Sequence, residues 1–205
     1  ILVHQPKMKK EVVQKRVLEL MELVGIDRPE ARAKLYPWNF SGGMRQRSVL
    51  AIALASDPAI LIADEPTTAL DVTIQAQILD LLKEIQHRLG TATILVSHDL
   101  GVVARVADRV AVMYAGKICE IGDSSLIYEK PLHPYTKFLM NAIPIADPHL
   151  RGEEKTLLEG EIPSPINPPK GCRFHTRCPY ATEKCRTEEP ALREVEGRRV
   201  ACHLA

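Results

Sequence analysis

The chain has no apolar run near the roughly 18 residues that cross a bilayer as a helix. It has no charged start followed by an apolar stretch, the pattern of a secretory signal. Charge of one sign is also missing. Lys and Arg number 27 against 26 Asp and Glu, a net +1, so nothing global points to nucleic acid or to an anionic membrane. No methionine opens the chain, which begins Ile1-Leu2-Val3-His4. There is no Gly-x4-Gly-Lys-Ser/Thr loop to cradle a phosphate. Gly116-Lys117 has neither the upstream glycine nor the following hydroxyl. What remains, 45% apolar and 26% charged residues, is the balance of a globular protein. At 205 residues it has room for one sizeable core and an appendage.

The most informative stretch is Ala59-Ile60-Leu61-Ile62-Ala63-Asp64-Glu65-Pro66. A short unbroken apolar run predicts a strand buried on both faces, as in a parallel sheet. Pro66 cannot donate to a ladder, so the strand should stop there. Open α/β sheets hold their ligands just beyond the carboxyl ends of their strands, where Asp64 and Glu65 fall. Two readings are open at this point. The acids end a strand in solvent, or they are a Mg²⁺-holding Asp beside a water-activating Glu, as in phosphoryl transfer.

Residues 7–24 carry Val12, Val13, Val17, Leu20, Met21 and Val24 at helical spacing, and Gly25 should end that helix. A short helix is predicted over 31–35. Next comes Phe40-Ser41-Gly42-Gly43-Met44-Arg45-Gln46-Arg47, with Ser41 as N-cap of a helix that runs on through Leu54. Two glycines at a helix start leave N–H groups open to an anion. A plain capped turn accounts for them equally well. Asp71 should cap an amphipathic helix with Ile74, Ile78, Leu81, Leu82, Ile85 and Leu89 inward. Thr93 to Ser97 predicts a second buried strand ending at His98-Asp99. A hairpin is expected over 108–121 around Ala115-Gly116, with Cys119 as a small packed hydrophobe. Residues 126–142 read as helix broken by Pro131 and Pro134. Over 144–170, Pro144, Pro148, Pro163, Pro165, Pro168 and Pro169 predict an extended connector and a domain boundary.

Four of the five cysteines lie in the tail: Cys172, Cys178, Cys185 and Cys202. Without a secretory signal, such a cluster favours a metal over disulfides. The gaps of five, six and sixteen residues match neither the usual zinc spacing nor the common ferredoxin spacings. Zinc, an iron–sulfur cluster and free packed thiols all remain open, with His175 and His203 as substitute ligands.

In order and spacing, Phe40–Arg47, Ile60–Glu65, Ala69–Asp71 and Ser97-His98-Asp99 resemble four motifs of the ATP-binding subunit of an ABC transporter. These are the signature motif, Walker B strand, D-loop and switch histidine. Ser-Gly-Gly-Met-Arg-Gln-Arg, Leu132-His133-Pro134-Tyr135 and the cysteine tail are similar to the peptide and nickel importer branch. Phe40 and Met44 depart from the commoner Leu and Gln of the signature, as suits that branch. The resemblance implies an α/β fold: a partial ABC-ATPase core with a mostly parallel sheet, a partial helical subdomain and a small Cys-rich lobe. Its expected segments are 1–58 helical with the signature, 59–122 core, 123–170 extension and connector, and 171–205 the lobe. ATP with Mg²⁺ is the implied ligand. Asp64 would hold Mg²⁺ through water, Glu65 would be the general base, and His98 would meet the γ-phosphate. Ser41, Gly42, Gly43 and Met44 would grip ATP held by a partner, and Asp71 would lie across that interface. Relatives associate the tail cysteines with an iron–sulfur cluster, with zinc as the alternative.

The implied partners are a second ATPase subunit and membrane permeases, with no nucleic acid. The implied place is the cytoplasmic face of the membrane, peripheral to it. The missing phosphate loop and glutamine loop lie N-terminally in relatives, which predicts that this chain is the C-terminal part of a longer ATPase, inactive alone. Two other classes compete: a metal-binding interaction module on an ATPase remnant, and a soluble ABC ATPase of DNA repair or translation. Near-neutral charge and the lack of long heptads weigh against the second.

Overall fold

The computed structural model describes residues 1, 8–68, 70–143, 160–164 and 166–205. Lys7 at the expected helix start, Ala69 of the loop before Asp71, and Pro144, Pro148 and Pro165 of the connector lie outside the described residues. The chain forms two compact units, Ile1–His98 and Asp99–Ala205. The division falls between His98 and Asp99.

In the first unit, helix α1 (Lys10–Leu23) ends as its sequence dictates. Gly25 takes φ 72°. The Ile26 N–H reaches back to the Met21 carbonyl (2.8 Å) and the Gly25 N–H to Glu22 (2.9 Å). This pair of bonds satisfies carbonyls that a helix end leaves open, and Ile26 is buried beside it. Val12, expected on the inner face, is exposed. Helix α2 (Pro29–Arg32) starts on a proline, earlier than the helix expected over 31–35. A 3₁₀ turn (Pro37–Asn39) then stacks the exposed Tyr36 and Trp38 rings, centroids 4.5 Å apart. Helix α3 (Gly42–Leu54) buries Leu50, Ala51 and Leu54.

Strand β1 (Ile60–Asp64), helix α4 (Val72–Leu89) and strand β2 (Ala92–Val96) form one crossover. The strands pair in parallel, Ile60 opposite Ala92 through Asp64 opposite Val96. Ile78, Leu81, Leu82 and Ile85 of α4 pack with Leu61, Leu54, Leu20 and Val24 into one core, whereas Leu89 is exposed. β1 is covered on one face only, which corrects the reading of a strand buried on both. Leu61 and Ala63 face the core, while Ile60 and Ile62 are 58% and 68% exposed beside exposed Ile94 and Val96.

The second unit opens with helix α5 (Leu100–Val106), capped by Asp99. Strands β3 (Arg109–Tyr114) and β4 (Lys117–Asp123) make the expected hairpin. Its turn residues Ala115 and Gly116 both have positive φ, 45° and 79°, the geometry that matches strand twist in a two-residue turn. Helices α6 (Ser124–Glu129), α7 (Pro134–Ala142) and α8 (Glu183–Thr187) follow. The break between α6 and α7 falls at the predicted prolines. A second hairpin, β5 (Arg193–Val195) and β6 (Arg198–Val200), was not anticipated. It turns at Glu196-Gly197 and adds to the first through β4 and β6, in the order β3-β4-β6-β5. All pairings in this sheet are antiparallel, so parallel pairing among the described strands is confined to β1 and β2. The expectation of a mostly parallel sheet is corrected to that extent. Among the described residues, no helix is long and apolar enough to cross a membrane.

A buried polar network locks this sheet to the helices. Glu120 and Arg198 are almost fully buried, with Arg198 Nη1 3.5 Å from Glu120 Oε1. Glu120 accepts the Leu132 and His133 N–H groups at 3.0 and 2.9 Å. Arg198 donates to the carbonyls of Leu126 (2.6 Å) and Lys130 (2.5 Å). The network thus satisfies the end of α6 and the start of α7 together. Glu120→Ala would leave a buried guanidinium and two N–H groups without their carboxylate. It should cost about 3–5 kcal/mol, read as a lower urea midpoint by circular dichroism.

His133 caps α7: its Nδ1 accepts the Tyr135 N–H at 3.0 Å, which requires the nitrogen unprotonated. Burial pushes its pKa from 6.5 down to about 4. An unfolded chain takes up that proton near pH 6.5, and the folded one resists until about pH 4. Stability from this site is therefore full above about pH 6.5 and is lost as pH falls through that window, by up to ~3 kcal/mol. His133→Asn keeps a capping acceptor and should flatten this acid slope in unfolding measured from pH 7 to 4.

Candidate functional site

The in-register pairing of β1 and β2 sets their ends side by side, and one further bond extends it: the Glu65 N–H donates to the Val96 carbonyl at 2.9 Å. Glu65 leaves the strand with φ 46°, a left-handed backbone rare for a residue with a Cβ. The chain turns at once, closed by Thr68 N–H to the Glu65 carbonyl at 3.2 Å. His98 comes two residues after β2. Its Nδ1 lies 2.7 Å from Glu65 Oε1, and the Thr68 hydroxyl donates to Oε2 at 2.6 Å. Both carboxylate oxygens are thus engaged from opposite ends of the group. The Thr68 hydrogen bond first, then the one to His98, hold the Glu65 carboxyl below the usual carboxylate range. Glu65 is therefore ionised at neutral pH. The site is open: the side chains of Glu65 and His98 are 38% and 77% exposed. Asp64 closes β1 with an exposed side chain. An exposed carboxylate at that position fits the one or two protein carboxylates by which Mg²⁺ is usually held beside a phosphate.

A second group forms around the start of α3. Ser41 Oγ accepts the Met44 N–H at 3.3 Å, and Asp71 Oδ1 accepts the Ile74 N–H at 2.9 Å, so both expected caps are made. Ser41 and Gly42 are exposed while Gly43 is buried. The Met44 sulfur is occupied by Arg32 Nη1 at 3.2 Å. The start of α3 packs against the start of α4: a Cβ on Gly43 would sit 2.7 Å from Ile74 Cγ2, and one on Gly42 only 3.6 Å from Leu70 Cδ2. The structure therefore joins Glu65 to His98 and Thr68, and Ser41–Gly43 to the segment carrying Asp71. Thr68 is not among the residues that the sequence singled out. Its signal was a hydroxyl three residues after an acid that ends a strand.

The cysteine expectation gains no support from the described residues. Cys172, Cys178, Cys185 and Cys202 do share a neighbourhood. Gly171 (φ 69°) passes so close to the chain at Cys185 that a Cβ there would meet its carbonyl at 2.4 Å. The Cys172 N–H donates to that carbonyl at 2.8 Å. Yet among the described residues no three His, Cys, Asp or Glu side chains gather as ligands of one metal ion. His175 and His203 are engaged with the carbonyls of Cys172 and Glu188. All five thiols are free. Burial, then the neighbouring thiols, raise the pKa of Cys172 and Cys178, and burial pushes Cys119 up to about 12. Cys119, Cys172 and Cys178 pack around Phe174, and neither zinc nor an iron–sulfur cluster gains support from the described residues.

Comparison with known proteins adds the family. The ABC transporter family matches residues 2–68, and the oligopeptide/dipeptide transporter C-terminal region matches 119–185. The chain is 47% identical over 205 residues to the oligopeptide transport ATP-binding protein AppD of Bacillus subtilis, covering all of this chain and 62% of that protein. It is 56% identical over 184 residues to the dipeptide transport ATP-binding protein DppD of the same organism, covering 90% and 54%. It is 50% identical over 196 residues to the di/tripeptide transport ATP-binding protein DppF of Pseudomonas aeruginosa, covering 96% and 60%. The chain therefore spans little more than half the length of these curated relatives. Among solved structures, cbiO1 of Clostridium perfringens, part of the ABC transporter complex cbiONQ, matches with TM-score 0.54 and 32% identity. That match covers 61% of this chain and 49% of the other.

These matches are to the ABC transporter family, and the relatives named are ATP-binding proteins of oligopeptide, dipeptide and di/tripeptide transport.

The two glycines of the α3 start differ in the space left for a side chain. Gly43→Ala should cost about 1–3 kcal/mol by overpacking against Ile74. Gly42→Ala, in ordinary contact, should leave the melting temperature within error. Thermal unfolding of the two variants side by side checks this.

Proposed function

We propose that this chain supplies the water-activating and signature segments of an ATP-binding subunit that powers di- or oligopeptide import. The observation that carries the reading is the Glu65–His98 contact at the paired ends of β1 and β2, beside Asp64. An ionised Glu65 with room on each oxygen for another hydrogen bond is suited to accept a proton from an attacking water. Asp64 would hold Mg²⁺, which when bound neutralises charge on the phosphates. His98 would meet the terminal phosphate. Ser41, Gly42, Gly43 and Met44, at the α3 start, would face nucleotide held by a second ATPase subunit. Asp71 would lie at that same interface.

A phosphate-cradling loop is required and is not encoded in these residues. The uncovered apolar face of Ile60, Ile62, Ile94 and Val96 is the kind of surface that a further core segment would cover. Residues 1–58 would dock on membrane permeases, which would place the subunit on the cytoplasmic face of the membrane. Peptides are supported as cargo by the transport functions for which the relatives are named. The alternative of a metal-binding interaction module has no observation in its favour.

The chain by itself should neither bind ATP tightly nor hydrolyse it. Micromolar binding by calorimetry would overturn that. When combined with a phosphate-loop-bearing segment it should hydrolyse ATP in the presence of Mg²⁺. Glu65→Gln should then slow turnover by ~10²–10⁴ while sparing nucleotide binding.

A further inference from the structure

The contact between Glu65 and His98 leaves a question about Glu65 itself. It is an exposed carboxylate on a left-handed backbone. One hydrogen bond fixes a point on a carboxylate, and two on different oxygens fix its plane. His98 supplies one bond, from the far strand and by a nitrogen whose donor role depends on its tautomer. Thr68 supplies the other, and it differs in two ways. Its hydroxyl does not titrate in the physiological range, so it donates whatever the charge on His98. It also belongs to the same tight turn as Glu65, closed by Thr68 N–H to the Glu65 carbonyl at 3.2 Å. Donor and acid therefore belong to one closed turn, and the anchor on Oε2 does not depend on His98.

We propose that Thr68 is a positioning residue for Glu65. Its hydroxyl fixes the carboxylate plane and keeps the second lone pair of each oxygen directed away from the turn, where a water can approach. Thr68 does not touch the reacting atoms and acts only through Glu65. The catalytic consequence rests on the reading of Glu65 as general base, whereas the contact does not.

The test uses the whole 205-residue chain first. The Glu65 carboxyl carbon is followed by NMR through an acid titration in wild type, Thr68→Val and Thr68→Ser. Valine keeps the shape and removes the donor, and serine restores the donor. The midpoint should rise toward the ordinary carboxylate value in Thr68→Val and return in Thr68→Ser, with melting unchanged in both. An unmoved midpoint in Thr68→Val overturns the proposal, because a residue that merely shapes the turn would not shift it.

The second arm measures Mg²⁺-ATP hydrolysis by the chain combined with a phosphate-loop-bearing segment. Thr68→Val should lower kcat ~10–100-fold with KM for ATP unchanged, as expected when a reacting group is misaligned, and should move the acid limb of the pH profile upward. A shifted midpoint with unchanged kcat overturns the positioning role. No hydrolysis by the wild-type combination overturns the ATPase reading alone, and the titration then decides for or against Thr68.

Discussion

The parallel pairing of β1 with β2 is the constraint on which the site depends. Parallel strands need a long crossover, and α4 provides it by burying a full apolar stripe in the core of the first unit. With Asp64 opposite Val96, the residues that leave the two strands emerge on the same edge. The Glu65 N–H to Val96 carbonyl bond then holds the acid in the ladder while its backbone turns left-handed. A slip of one residue would carry Glu65 to the opposite face and part it from His98. The distance of 2.7 Å between these side chains, 33 residues apart in sequence, is therefore a product of strand register.

The second unit depends on a different device. Its antiparallel sheet is assembled from two hairpins far apart in sequence, joined where β4 meets β6. Glu120 and Arg198 sit at that junction, and each satisfies backbone groups of the intervening helices. A buried ion pair gains little over apolar packing when the pair is considered alone. Here its partners include the carbonyls at the end of α6 and the N–H groups before α7, so the pair also satisfies backbone at two helix ends. Leu132-His133-Pro134-Tyr135 earns its pattern from the same place. His133 caps, Pro134 begins the helix, and the Tyr135 ring packs on Tyr114 and Phe174. The motif that pointed to a transporter branch in sequence is, in this structure, a helix start welded to a sheet.

Much of this was legible residue by residue. The N-caps Ser41 and Asp71, the stop at Gly25, the hairpin at Ala115-Gly116 and the helix break at Pro131 and Pro134 all follow from local chemistry, and all are present. The misses share one cause, since each depended on what a segment packs against. β1 is apolar throughout, which reads as burial on both faces, yet Ile60 and Ile62 are uncovered. β5 and β6 are three residues each, too short to show a period, and exist because β4 offers an edge.

The amino-acid order by itself determined the longer elements, their caps and stops, and the acids and histidine that follow two apolar strands, because capping, turn geometry and hydrophobic period act over a few residues. Only the tertiary structure decided that Glu65 meets His98, that Thr68 occupies its other oxygen, and that Glu120 is answered by Arg198. Those contacts span 33, 3 and 78 residues. The two long ones are set by strand register and sheet assembly. The short one needs the left-handed turn at Glu65, a conformation that no local preference of glutamate would select.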